Sequence, residues 1–158
     1  MAAFSAIDSP ASFPIESSQL DYKPGPSASR TVRQAARSLL HIHGEADKNV
    51  PIDGGEGPDS LAGVNFTSPR AAVQTFPISN GCSSEPEVAG GADNADLTIS
   101  TWAGCDGGAK VQFVAVAGAA HSWMGHVPSD PAVLPAYQGL DASYEIVAFL
   151  LAQPRASG

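Results

Sequence analysis

An α/β layer arrangement, with helices covering a sheet, is what the sequence predicts, and three observations predict it. Ser38-Leu39-Leu40-His41-Ile42-His43 is a short apolar run stopped by Gly44, the pattern of a strand buried within a sheet. Leu97-Thr98-Ile99-Ser100-Thr101-Trp102 alternates as a strand does, and Val111 to Ala117 is a second, more apolar one. Asp106-Gly107-Gly108 lies between them and can reverse the chain, so the two are expected to pair antiparallel.

Taken in order, residues 1–37 read as a loop-rich lead-in, because Lys23-Pro24-Gly25-Pro26-Ser27-Ala28-Ser29 cannot supply a continuous apolar face. A short helical turn fits Arg33 to Arg37. Residues 38–158 hold the firm elements. After the strand at 38–43, the segment 44–66 carries Glu45, Asp47, Asp53, Glu56 and Asp59 among glycines and reads as an acidic loop. Ser68 is a candidate N-cap with Pro69 at the first helical position, and Ala71, Ala72, Val73 and Phe76 give a short helix that Pro77 is expected to stop. The last helix starts at Asp141 as N-cap and runs through Tyr144, Ile146, Val147, Phe149, Leu150 and Leu151 to Pro154. Apolar residues on almost every side predict that it is covered on more than one face. Three strands make a narrow sheet, and its open edges invite self-association.

Composition narrows the function classes. The chain has 158 residues, 8 Lys plus Arg against 16 Asp plus Glu, and a formal net charge of -8, which argues against nucleic-acid binding through a basic surface. The 16 Gly and 13 Pro favour short elements joined by many loops. No apolar stretch is long enough to span a bilayer, and Met1-Ala2-Ala3-Phe4 lacks the basic and apolar regions of an export signal. No GxGxxG or GxxxxGK[ST] loop is present for nucleotide phosphates. Asn65-Phe66-Thr67 fits the glycosylation pattern and is read as incidental.

Two places could carry chemistry. In His41-Ile42-His43-Gly44-Glu45-Ala46-Asp47 a buried strand is followed at once by a carboxylate, and ligands in open α/β sheets sit at the carboxyl ends of strands. Asp47 is therefore a candidate catalytic acid, or a turn-stabilising residue. In Val116-Ala117-Gly118-Ala119-Ala120-His121 small residues bring a histidine onto a loop directly after a strand. An imidazole with a pKa near ~6.5 serves as a general base when another group fixes its tautomer, and Asp47 could do so. The alternative is a loop histidine facing solvent. His41 and His43 alternate on a strand and share a side, which raises metal binding with His121 and Glu45 or Asp47, but core histidines satisfied by hydrogen bonds are the less demanding explanation. No metal is assigned.

Several stretches together resemble the carboxyl-terminal half of the poly(3-hydroxybutyrate) depolymerase and feruloyl esterase-like group of α/β-hydrolases. They are Leu40 to Gly55 (Leu-His-Ile-His-Gly-Glu-Ala-Asp-Lys-Asn-Val-Pro-Ile-Asp-Gly-Gly), Asn80-Gly81-Cys82, Trp102-Ala103-Gly104-Cys105, Gly118 to Gly125, and Asp141 to Ile146 with its helix. Their joint order, over roughly residues 38–152, is more specific than any one of them. The sequence departs from the family at Ala119-Ala120, where a glycine pair is usual, at Ser122 and Met124 within His-Thr-Trp-Pro-Gly, and at Phe76, where a tryptophan is usual.

The resemblance implies a partial α/β-hydrolase fold, the carboxyl-terminal part of a mostly parallel sheet with flanking helices. It implies Asp47 as acid and His121 as base of a Ser-His-Asp triad, in the chain order of that fold. The nucleophile belongs in an upstream GxSxG elbow. No GxSxG occurs here, and Phe4-Ser5-Ala6-Ile7 resembles the strand that follows the nucleophile helix, so the polypeptide is expected to begin after the elbow. The resemblance further implies a Cys82–Cys105 disulfide, closing a loop of about 24 residues and stabilising by about 3 kcal/mol, against the alternative of two buried thiols. Such a bond points to an extracellular or periplasmic full-length relative. Trp123 is a candidate wall of the substrate pocket. No cofactor is required. The expected substrates are esters, either a polyester or a feruloylated polysaccharide, and the rival reading is an inactive remnant kept for binding or packing.

Overall fold

The computed structural model describes residues 4–7, 35–91, 93–129 and 136–154. Most of the predicted lead-in lies outside the described residues. The elements are strands β1 (Phe4–Ile7), β2 (Leu39–Gly44), β3 (Glu87–Gly90), β4 (Leu97–Trp102) and β5 (Val111–Val116), with helices α1 (Pro69–Val73), α2 (Thr75–Ser79) and α3 (Ala142–Leu151).

The five strands form one sheet in the order β1-β2-β5-β4-β3. Only β2 and β5 run parallel. The β1–β2, β4–β5 and β3–β4 pairings are antiparallel, so the expected mostly parallel α/β-hydrolase sheet is overturned by a small mixed sheet that is mostly antiparallel. The connections give the reason. Short links join β3 to β4 and β4 to β5, the latter through a 3-10 turn at Asp106–Gly108, and a short link can only return the chain antiparallel. Between β2 and β5 the chain makes the long excursion through α1 and α2 that a parallel pair needs.

Strand β2 is buried at every residue, with β1 on one side and β5 on the other. Its side chains alternate between two cores. Leu40 and Ile42 join Leu97, Val114, Val116, Met124, Leu140 and Phe149 on the face covered by α3. Leu39 joins Val73, Trp102, Val111, Phe113 and Ala115 on the face covered by α1 and the neighbouring α2. Helices therefore cover both faces of the sheet. Ser38 closes the amino end of the parallel pair: its Oγ accepts from the Lys110 amide at 3.1 Å and donates to Gln153 Oε1 at 2.6 Å, just beyond α3.

Both predicted N-caps form. Ser68 Oγ accepts from the Ala71 amide at 3.4 Å with Pro69 at the first helical position, and Asp141 Oδ1 accepts from the Tyr144 amide at 3.0 Å. The single helix expected to stop at Pro77 is instead two, broken at Gln74. Pro77 lies within the first turn of α2, where an amide has no intrahelical acceptor and its absence costs nothing. Helix α3 also departs from expectation. Ala142 and Phe149 are buried, with Ile146 packed beside them, while Tyr144, Val147 and Leu151 form an exposed stripe on the other side. Strand β3, exposed throughout, was not foreseen.

Cys82 and Cys105 are joined by a disulfide, linking the chain after α2 to the chain after β4. Asn80 reinforces the junction: its amide side chain accepts from the Arg37 N–H at 3.1 Å and donates to the Arg37 carbonyl at 2.7 Å. Helix α2 is thereby tied to the entry of β2. Reduction of the disulfide should lower the free energy of unfolding by about 2–4 kcal/mol. Urea midpoints with and without reductant measure this, and an unchanged midpoint would show that the crosslink constrains nothing.

Candidate active site

The parallel register places Gly44, the last residue of β2, opposite Val116, the last residue of β5. The two following loops therefore leave the same edge of the sheet side by side. They are stitched together: the Glu45 amide donates to the Val116 carbonyl at 2.9 Å and the Ala46 amide to the Ala119 carbonyl at 3.0 Å. Gly44 permits this approach, because a Cβ at that position would lie 2.2 Å from the Ala119 carbonyl oxygen. The constraint is spatial, since the Gly44 backbone is not in the left-handed region.

Asp47 sits three residues beyond β2 with its side chain wholly buried. Its Oδ1 accepts from the Asn49 and Val50 amides, both at 2.9 Å, so the carboxylate closes its own turn. Its Oδ2 lies 2.8 Å from His121 Nδ1. A fully buried carboxylate with two amide donors keeps its charge satisfied on one oxygen and offers the other to the imidazole. His121 keeps 21% of its side chain exposed. With Nδ1–H donated to Asp47, Nε2 is left as the lone-pair nitrogen, the state a general base requires. The structure thus brings together the two residues that the sequence singled out. Among the described residues, no serine hydroxyl engages His121.

His41 and His43 lie behind this pair, on the same face of β2. Their rings stack at 5.5 Å between centroids, and His41 also stacks on Phe113 at 5.4 Å. Arg70 of α1 lies over the other partner of that stack, 4.9 Å from the Phe113 ring centre. His43 Nε2 is 2.9 Å from the Val50 carbonyl, and His43 Nδ1 is 3.4 Å from His41 Nε2. Burial, and secondarily electrostatic interaction with the adjacent His43 imidazole, push the His41 pKa down to about 4. Among the described residues no cluster of three or more His, Cys, Asp or Glu is placed to hold a metal ion.

Trp123 is half-buried against the α3-side core, and its indole N–H donates to Ser143 Oγ at 3.0 Å. It fastens the histidine loop to the first turn of α3. Two cavities of about 480 and 430 Å³ lie elsewhere, one between α3 and the sheet and one beside the disulfide, and neither is lined by Asp47 or His121. Two features of the site went unrecognised in the sequence: the close crossing at Gly44 and the contact of His43 with Val50. A glycine that ends a buried strand was the one available signal for the first.

No protein-family model matches the chain, and no curated protein matches it.

Gly44→Ala should cost about 1–3 kcal/mol of stability by forcing the two loops apart. Its diagnostic sign is loss of the Asp47–His121 hydrogen bond by NMR, and retention of that bond with unchanged stability would remove Gly44 from the site. His41 gives a pH dependence of definite sign. Its folded pKa is about 4 against 6.5 for a free imidazole, so the unfolded chain binds more protons between those values. The contribution is complete above pH 6.5 and is lost as pH falls through 4, amounting to roughly 3 kcal/mol. Urea midpoints between pH 7 and 4 should fall more steeply for the parent than for His41→Gln; equal slopes would contradict it.

Proposed function

We propose that the chain carries the acid–base half of a carboxylic ester hydrolase working by a Ser-His-Asp mechanism. The observation that carries the reading is the 2.8 Å contact from His121 Nδ1 to a wholly buried Asp47 carboxylate, beneath a partly exposed ring. In this reading Asp47 fixes the imidazole tautomer and stabilises the imidazolium that forms. His121 Nε2 takes the proton of a serine hydroxyl as its oxygen attacks the ester carbonyl carbon. The same proton passes to the leaving alcohol as the tetrahedral intermediate collapses to an acyl-enzyme. Water then repeats the sequence, with His121 removing its proton and returning it to the serine, and the free acid leaves.

The reading requires a Gly-x-Ser-x-Gly serine and oxyanion donors from polypeptide outside these 158 residues. It does not require a mostly parallel sheet. The one parallel pair, β2 and β5, supports it by delivering both side chains to one sheet edge. Polyesters of hydroxy acids and feruloylated or acetylated polysaccharides are the proposed substrates, and Trp123, two residues past His121, is the proposed apolar wall. The Cys82–Cys105 disulfide supports an oxidising compartment.

One observation favours a second reading. Asp47 already closes the 47–50 turn through two amides, a structural task sufficient to account for a buried carboxylate in a chain kept for binding or packing. Hydrolysis of a short p-nitrophenyl ester separates the two. The protein joined to the polypeptide encoded upstream in frame should be active, with His121→Ala at least ~10²-fold slower and Asp47→Asn slowed toward ~10⁴-fold. Stop codons throughout that upstream frame, or a rate indifferent to His121→Ala, would leave the packing reading standing.

A further inference from the structure

We propose that His43 is a positioning residue for the Asp47–His121 pair: a buried imidazole that, through the Val50 peptide, holds the Asp47 carboxylate where His121 meets it. The inference rests on the reading of Asp47 and His121 as an acid–base pair.

The geometry fixes each proton in turn. The Val50 carbonyl can only accept, so at 2.9 Å it requires the hydrogen of His43 to sit on Nε2. In the neutral ring His43 Nδ1 is then an acceptor, and His41 Nε2 lies 3.4 Å from it. The ring has no solvent contact, so its hydrogen-bond partners all lie within the fold.

The Val50 peptide is consequently held at both ends. Its carbonyl takes the His43 N–H, while its amide donates to Asp47 Oδ1. Loosening one end frees the other. His43 Nε2 also lies 3.7 Å from Asp47 Oδ2, the oxygen that faces His121. That distance is too long for a hydrogen bond, yet close enough for the N–H dipole to favour the carboxylate charge. Among the described residues, the titratable and charged groups around His43 are Asp47 beside it, His41 along β2, His121 across the carboxylate from β5, and Arg70 of α1 beyond Phe113.

The test is NMR on the 158-residue chain. In the unmodified protein the ¹⁵N shifts of His43 should show a protonated Nε2; a bare Nε2 overturns the proposal without any variant. Asp47→Asn sets the His121 titration midpoint for a fully lost pair. His43→Phe, which keeps a stacked ring but gives Val50 no donor, should move that midpoint at least half of the way there. His43→Gln, whose amide can still donate to the Val50 carbonyl, should restore most of it. A folded His43→Phe protein with the parent's midpoint and an intact His121 Nδ1–H resonance would reduce His43 to packing. The outcome is independent of ester hydrolysis: a protein inert toward esters can still pass, and a hydrolase lost with His121→Ala can still fail.

Discussion

Parallel pairing of β2 with β5 is the constraint on which the site depends. A strand pair that starts together at Leu39 and Val111, and ends together at Gly44 and Val116, must release its two following loops at one edge. An antiparallel pair would have sent them to opposite ends. The stitching of Glu45 to Val116 and of Ala46 to Ala119 then removes most of the freedom left to each loop, at backbone level and before either side chain is placed. Asp47 and His121 meet because of strand direction and a missing Cβ at Gly44, while their own hydrogen bond adds the last increment of precision.

The two faces of the sheet divide the work. On the α3 side the packed residues are aliphatic for the most part, and Trp123 carries the histidine loop onto that core. On the α1 side β2 buries two imidazoles where Leu39 alone would have sufficed for hydrophobicity. Stacking with Phe113 and hydrogen bonds along the row offset the cost of burying polar rings, and burial favours the neutral form of His41. The stability of this face therefore weakens in acid, in the window set by His41.

Strand positions, caps and the hairpin were legible because each leaves a local mark. Gly44 stops β2, Asp106-Gly107-Gly108 turns β4 into β5, and Ser68 and Asp141 satisfy first-turn amides. Strand direction leaves no such mark. The apolar run of β2 fits a parallel or an antiparallel neighbour equally well, so the family likeness supplied a direction that the short links around β4 do not permit. Glu87–Gly90 had too little apolar content to stand out as a strand, since it pairs along one edge and buries nothing. Pro77 misled for a similar reason: its effect depends on whether a helix has already begun, and Gln74 restarts one just before it. At the site, the two catalytic candidates were legible from residue type and position after a strand. The clamp on Val50 was not, because a backbone carbonyl has no sequence signature.

The doubled task of Asp47 bears on why a turn-closing carboxylate is well suited to orient a base. A buried charge with a single partner would be costly in any state where that partner moved away. Here Oδ1 is held by two amides that do not involve His121, and Oδ2 is the oxygen that faces the imidazole. The turn fixes the carboxylate in place, and the histidine loop meets it there. A turn of this kind can precede any catalytic role, with the second oxygen available for recruitment, and an imidazole delivered by a neighbouring parallel strand is the group best placed to be recruited.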